Sequence, residues 1–158
     1  MGITSFIGEF EYSVDTKGRV NIPAKFRKAL PESSEDTFVV TRGSTQNIVA
    51  YSLTEWMKKE DEYIALSTLN PTHRNFIRIQ TRHATTCKCD SQGRIAIPQR
   101  LLSFANIDHN VLIIGMLSEI EIWDPNTFKT FEQSDFQLSK DDYLQVANYM
   151  SEHGKKQN

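Results

Sequence analysis

Two short segments of this 158-residue sequence place an acid, a glycine and an arginine at identical spacing. The first runs from Asp15 to Pro23 as Asp-Thr-Lys-Gly-Arg-Val-Asn-Ile-Pro. The second runs from Asp90 to Pro98 as Asp-Ser-Gln-Gly-Arg-Ile-Ala-Ile-Pro. Asp and Gly favour a turn, because Asp accepts hydrogen bonds from the backbone that follows it and Gly adopts positive φ. Each segment therefore presents an arginine and a second long polar side chain on a turn.

These side chains suit recognition of a nucleic acid. Arginine can bond guanine bidentately, glutamine can bond adenine, and lysine neutralises phosphate. The alternative is that each aspartate pairs with the arginine that follows it only to hold the turn, and an exposed pair of this kind contributes little to stability. That alternative explains less well why each copy also carries Lys17 or Gln92. Lys17 favours the first copy as the stronger DNA contact.

The flanking patterns predict the same elements around each turn. Residues 8–14 alternate polar and apolar, which predicts a half-buried strand, and 20–22 predict a return strand followed by a short helix from Pro23. The second copy repeats this order with strands at 85–89 and 95–97 and a short helix from Pro98.

A hairpin and a helix are predicted to follow each copy. The hairpin strands lie at 37–41 and 47–51 in the first and at 111–115 and 119–123 in the second. A capping box from Ser52 to Glu55 predicts a helix to about Leu66, and Asp124-Pro125 opens its counterpart. The whole unit of strand, turn, strand, short helix, hairpin and helix is therefore duplicated.

The predicted organisation is one pseudo-symmetric body, because no linker rich in Pro, Gly or Ser separates the copies. The expected divisions are a first repeat at 7–66, a connecting helix at 67–82, a second repeat at 83–132 and a C-terminal helix at 139–152. Asn70-Pro71 marks the start of the connecting helix, on which arginines recur at Arg74, Arg78 and Arg82. Such a stripe is usually a solvated helix face.

Composition is typical of a globular protein, with 39% hydrophobic and 24% charged residues and a net charge of −2. We expect a cytoplasmic location and no membrane association, because no export signal or spanning segment is visible. The segment from Arg74 to Arg100 has six bases and one acid, and the segment from Glu119 to Asp142 has seven acids and two bases. This distribution allows a basic face beside an acidic one.

Metal, cofactor and catalytic sites are not expected. Cys87 and Cys89 face the same side of a strand and are interpreted as small apolar residues, because zinc needs about four ligands and a disulfide across one residue is strained. Known catalytic spacings are absent around the histidines, which are His73, His83, His109 and His153.

The paired motifs resemble the MraZ family of bacterial transcriptional regulators, within the AbrB/SpoVT superfamily. The resemblance extends from about Phe6 to Phe128 and includes Asn70-Pro71 with Arg74, and Glu121-Ile122-Trp123. It implies an α+β fold, with a pseudo-two-fold, swapped-hairpin β-barrel built from two βαββ repeats and helices around it. It also implies closed homo-oligomeric rings, which bind G-rich direct repeats of double-stranded DNA in the promoter of the division and cell-wall gene cluster, at the nucleoid.

Site residues follow from the resemblance position by position. The expected DNA-contacting residues are Lys17, Arg19, Gln92 and Arg94. The residues expected to orient them are Asp15, Gly18, Asp90 and Gly93. Two alternatives remain: an antitoxin-like or scaffold module that binds proteins with the same barrel, and, less favoured, an enzyme. Salt dependence separates the first from DNA binding, because binding through several cations weakens steeply as salt rises.

Overall fold

The computed structural model describes residues 5–134 and 137–154. Its strands are β1 Phe6–Ser13, β2 Arg19–Asn21, β3 Thr37–Arg42, β4 Ile48–Ser52, β5 Thr85–Lys88, β6 Arg94–Ala96, β7 Asn110–Leu117 and β8 Glu119–Trp123. Its α-helices are α1 Ala24–Lys28, α2 Leu53–Ile64, α3 Pro71–Arg82, α4 Gln99–Phe104, α5 Pro125–Ser134 and α6 Lys140–Gly154. This is the expected α+β class, and a 3₁₀ turn at Glu32–Ser34, which the sequence patterns do not predict, follows α1.

Local signals place the longer helices correctly. The Ser52 hydroxyl accepts a hydrogen bond from the Glu55 backbone N–H at 3.1 Å, and Asn70 Oδ1 accepts from Thr72 N at 2.9 Å. Each side chain satisfies an N–H that the first helical turn would leave unpaired. The second half of the predicted capping box is wrong, because the Glu55 carboxylate instead bonds Lys58 Nζ at 3.0 Å.

The prolines lie just before the short helices, and not in their first turns as the sequence predicts. Pro23 and Pro98 occupy the N-cap positions of α1 and α4, with extended ψ values of 135° and 140°. Phe26 anchors α1 to β1, since its ring packs edge-on against Phe6 and Phe10 with centroids 5.3 and 5.2 Å apart. Leu101, the equivalent residue of α4, is also fully buried.

Six strands form one antiparallel sheet in the order β1-β7-β8-β4-β3-β5. The counterparts in the two copies are β1 and β5, β3 and β7, and β4 and β8. If each strand is replaced by its counterpart, the same order results, read from the opposite edge of the sheet. Both predicted hairpins, β3–β4 and β7–β8, are confirmed. The outer strands pair across copies: β1 lies beside β7, and β5 lies beside β3.

The remaining strands, β2 and β6, form a separate two-stranded antiparallel ribbon. Val20 on β2 and Ile95 on β6 face each other in this ribbon, and both are fully buried. They belong to one core cluster with residues of the large sheet, including Phe38, Ile113 and Ile120. The ribbon is therefore held by side-chain packing as well as by its own hydrogen bonds.

Residues after Thr127 cluster as a separate compact unit. Its helix α6 has exposed apolar side chains at Tyr143, Leu144, Val146, Tyr149 and Met150. The Ser139 hydroxyl accepts a hydrogen bond from Asp142 N at 3.2 Å at the start of α6. Among the described residues, no helix is both long enough and apolar enough to cross a membrane.

Candidate nucleic-acid interface

The first loop, Asp15–Arg19, is a turn closed by its own aspartate. Asp15 Oδ1 accepts hydrogen bonds from the backbone N–H groups of Lys17 at 2.9 Å and Arg19 at 2.8 Å. Two backbone bonds, from Gly18 N to Asp15 O and from Asp15 N to Arg19 O, complete the turn at 3.0 Å each. Gly18 supplies the positive φ of 76° that the turn requires.

The second loop, Asp90–Arg94, repeats this geometry. Asp90 Oδ1 accepts from the backbone N–H groups of Gln92 and Arg94, both at 2.9 Å. Gly93 has a φ of 78° and donates its N–H to Asp90 O at 3.0 Å. The two sequence copies therefore fold as two copies of one structure.

The second carboxylate oxygen of each aspartate holds the arginine side chain. Arg19 Nε lies 2.6 Å from Asp15 Oδ2, and Arg94 Nε lies 2.9 Å from Asp90 Oδ2. An arginine bonded through Nε keeps the N–H groups of its two terminal nitrogens for other partners. Each aspartate therefore fixes the side chain of the arginine in its own loop.

Both aspartates are stabilised in their charged form. The backbone N–H of Arg19 lowers the pKa of Asp15, and the backbone N–H of Arg94 lowers the pKa of Asp90; the side chains of the same arginines act in the same direction. Desolvation opposes these effects but does not reverse them. Each carboxylate therefore stays ionised at neutral pH and can hold its arginine.

The structure brings the two loops together. Ile22 N donates to Gly93 O at 3.0 Å, and Ile97 N donates to Gly18 O at 2.9 Å, so each glycine carbonyl is bonded to the segment that follows the other loop. Arg94 Nη1 also lies 3.8 Å from Asp15 Oδ2, which forms an ion pair between the loops. The two motifs of one chain consequently lie side by side.

The predicted contact residues differ in exposure. The side chains of Arg19 and Arg94 are 33% and 23% exposed, in keeping with their partial engagement by carboxylates. Lys17 and Gln92 are exposed residues at the tips of their loops. The paired loops thus combine two held arginines with two freely accessible long side chains.

Arg27 is a basic residue of the site that the motif pattern does not single out. A Cβ atom added to Gly93 would lie 2.5 Å from Arg27 Cζ and Nε, so this guanidinium covers the second loop. Its position on α1 depends on Phe26, the preceding residue, which is buried against β1. Phe26-Arg27 belongs to the stretch that carries the family resemblance, but Arg27 is not among the DNA-contacting residues expected from the sequence.

The arginine stripe and the two cysteines are not part of the paired loops. The stripe of Arg74, Arg78 and Arg82 is exposed on α3, where the Thr41 hydroxyl of β3 donates to Gln80 O at 3.3 Å. Cys87 is buried, and Cys89 is partly buried. Burial raises the pKa of both thiols to about 11, which agrees with their interpretation as packing residues. No group of three or more potential metal ligands occurs within 5–134 and 137–154.

Comparison with known proteins shows which family the sequence matches. A family model described as "MraZ protein, putative antitoxin-like" matches residues 5–79 and 81–146. The chain is 38% identical over 149 residues to a protein of Alkaliphilus metalliredigens, covering 94% of this chain and 99% of that protein. It is 40% identical to one of Alkaliphilus oremlandii over the same shares, and 36% identical over 154 residues to one of Syntrophobacter fumaroxidans, covering 98% and 99%. Each of the three is named transcriptional regulator MraZ.

Proposed function

The chain belongs to the MraZ family, and from this membership we propose that it is a sequence-specific DNA-binding transcriptional regulator whose two loops contact DNA. The observation that carries the proposal is the joining of the loops. Hydrogen bonds from Ile22 and Ile97 hold them side by side, and each presents an arginine oriented by a carboxylate.

The chemistry of the loops divides into two kinds of contact. The terminal guanidinium nitrogens of Arg19 and Arg94 are suited to guanine O6 and N7, or to a phosphate. Lys17 is suited to phosphate, and the Gln92 amide to a base edge. Asp15 and Asp90 act through the arginines, because DNA phosphate repels a carboxylate.

The proposal includes the assembly and the target. A subunit with a net charge of −2 is a weak binder alone, but several copies in a closed ring gain avidity on direct repeats. We propose that the target is the promoter of the division and cell-wall gene cluster, with the protein at the nucleoid in the cytoplasm. Pairing of β1 with β7 and of β5 with β3 supports a swapped-hairpin barrel of two βαββ repeats, at 7–66 and 83–132.

One alternative keeps the fold but changes the partner. The description of the matching family model includes the term antitoxin-like, which favours a protein-binding module as the second candidate. Binding through several Lys and Arg contacts to phosphate weakens steeply between low and moderate salt, whereas a protein interface is less sensitive. An enzyme is disfavoured, since the compared relatives are named as regulators.

The test is a gel-shift titration of the full chain with duplex DNA from the region upstream of its own gene. A native mass measurement of the free protein and of the complex runs in parallel. We expect discrete shifted complexes and an oligomer, loss of binding for Arg19→Ala, and weaker binding for Arg94→Ala. Lys58→Ala removes the same charge from an exposed site on α2 and is the matched control. If Arg19→Ala binds like the wild type, the assignment of the loops is wrong.

A further inference from the structure

The two loops differ in the residue that covers the glycine. At the first loop, a Cβ added to Gly18 would meet the Ile97 carbonyl oxygen at 2.9 Å and Leu102 Cδ1 at 3.5 Å. At the second loop, a Cβ added to Gly93 would meet the guanidinium of Arg27. Leu102 and Arg27 occupy equivalent positions, because each is the fourth residue after the proline of its motif. A hydrocarbon side chain on one loop therefore corresponds to a cation on the other.

Arg27 is fixed in place by the ribbon that joins the loops. Its Nε donates to Ile22 O at 3.1 Å, and Ile22 N donates in turn to Gly93 O at 3.0 Å. These bonds connect Arg27 to the backbone of the second loop through one residue. Because Phe26 anchors the same helical turn in the core, the backbone from which the Arg27 side chain extends is also fixed.

Most hydrogen-bonding capacity of Arg27 is unused. A guanidinium carries five N–H donors, and the bond to Ile22 uses one. Across 5–134 and 137–154, the ion pairs of the structure are Arg19–Asp15, Lys58–Glu55, Arg94–Asp15 and Arg94–Asp90, so Arg27 has no carboxylate partner there. A partly exposed arginine of this kind is a suitable ligand for an anion.

The two loops differ in which position carries a second cation. The first loop combines Lys17 with the apolar Leu102, whereas the second combines the neutral Gln92 with Arg27. Each loop thus has its motif arginine and one further cation, but the further cation comes from a different position. The positive charge absent at Gln92 is supplied from α1.

We propose that Arg27 contacts a DNA phosphate beside the second loop and there takes the place that Lys17 has at the first loop. The proposal rests on the function proposed above and adds a residue to its binding surface. An arginine can bond a phosphate with two parallel N–H groups. A phosphate contact of this type fixes the loop on the duplex and adds affinity irrespective of sequence.

The experiment measures the affinity of the full chain for the upstream duplex, and for a duplex of shuffled sequence, at several salt concentrations. Arg27→Leu reproduces the side chain of the first loop, and Arg27→Lys retains the charge. We expect Arg27→Leu to lose about 10-fold in affinity for both duplexes, as for a hydrogen bond to a charged group. The slope of log affinity against log salt should become shallower by about 0.9 for each engaged subunit. Arg27→Lys should keep most of the slope.

A compensating variant provides the stricter test. Arg27→Leu combined with Gln92→Lys transfers the cation to the position of Lys17, and we expect it to recover the wild-type salt slope. A wild-type slope for Arg27→Leu, while Arg19→Ala loses binding, would overturn this inference and leave the proposed function standing. A loss of affinity without a change in slope, not recovered by Gln92→Lys, would also overturn it, since Arg27 would then only support the loop.

Two further controls keep these outcomes distinct. Thermal unfolding of each variant reports the fold, and if Arg27→Leu unfolds at the assay temperature, Arg27→Gln replaces it as the neutral, polar variant. Failure of the wild-type protein to bind either duplex contradicts the proposed function itself and the inference with it.

Discussion

Val20 and Ile95 face each other across the β2–β6 ribbon, and they are also equivalent residues of the two motifs. If each residue is replaced by its equivalent in the other motif, the Val20–Ile95 pair is unchanged. The pair Arg19–Ala96 becomes the pair Arg94–Asn21, which is the other pair of the ribbon. The local pseudo-two-fold axis therefore passes between Val20 and Ile95. Both side chains are fully buried, and each directly follows the arginine of its loop. Packing between them therefore helps to set the positions of both loops.

Shortening Ile95 should destabilise the whole chain. It is 0% exposed, and Ile95→Ala leaves a cavity at the ribbon, so we expect a loss of about 2–5 kcal/mol in the free energy of unfolding. Ile95→Val should cost about 0.5–1.5 kcal/mol. Urea unfolding followed by circular dichroism gives both values, with Ile79→Ala, at a 47% exposed position on α3, as the control. A loss below that of the control would show that the ribbon does not support the fold.

The two loop glycines should respond differently to alanine. Both have positive φ, so Gly18→Ala and Gly93→Ala each incur backbone strain of about 1–3 kcal/mol. The new methyl group at Gly18 would also meet a backbone oxygen of Ile97, whereas at Gly93 it meets the end of the Arg27 side chain, which can rotate away with loss of its bond to Ile22 O. We expect Gly18→Ala to lower the unfolding midpoint more than Gly93→Ala. Equal midpoints, or the opposite order, would contradict this account of the contacts.

Neutralising Asp15 should separate affinity from specificity. Asp15→Asn keeps an oxygen for the backbone N–H groups of Lys17 and Arg19 but removes the charge that holds Arg19 and lies near Arg94. We expect binding to shuffled DNA to strengthen, because a repulsive carboxylate is lost. The ratio of operator to shuffled affinity should fall about fivefold or more, as for a misplaced base-contacting arginine. Asp61→Asn, on the exposed face of α2, makes the same charge change and should leave the ratio unaltered.

The cysteines should react slowly with alkylating reagents in the folded protein. Only the thiolate reacts, and burial raises the pKa of Cys87 and Cys89 from an ordinary 9.0 to about 11. Near pH 7.5 this lowers the thiolate fraction by about 100-fold. Mass spectrometry after iodoacetamide treatment, with and without urea, measures the protection, and Cys89→Ser assigns each rate. Equal rates in the folded and unfolded chain would show that the thiols are accessible.

His83 should make stability decrease on mild acidification. Burial lowers the pKa of this histidine below its ordinary value of 6.5, and the cations of Arg42, Arg82 and Arg100 lower it further. As pH falls through 6.5, the unfolded chain takes up a proton before the folded chain does, so folding becomes less favourable. We expect the melting temperature to fall more between pH 7.5 and 5.5 for the wild type than for His83→Gln. Parallel profiles would exclude His83 as the cause.

Local patterns predicted the elements of this fold well, because caps and alternation act over a few residues. Ser52, Asn70 and Asp124 start helices as expected, and Phe10 and Tyr12 on β1 alternate in burial with exposed Glu9 and Glu11. The predicted role of Glu55 failed because its carboxylate can bond either the start of the helix or a lysine one turn later, and it bonds Lys58.

Long-range relationships were less accessible from the sequence. The two motifs could be recognised separately, but the bond from Ile22 N to Gly93 O that brings them together depends on tertiary packing. Arg27 was missed for the same reason, since its role arises from a glycine far away in sequence. Arg27 lies in the stretch that carries the family resemblance, but nothing local to it points to the second loop.

The pairing of β1 with β7 sets the order in which the chain can fold during synthesis. Phe6 lies opposite Leu117, so β1 has its neighbour only after about 110 further residues have been made. The β3–β4 hairpin, whose strands are close in sequence, can form early, whereas β1 must remain unpaired until β7 emerges. Until β7 emerges, the nascent chain carries an open strand edge, and in this interval aggregation or chaperone binding competes with native pairing.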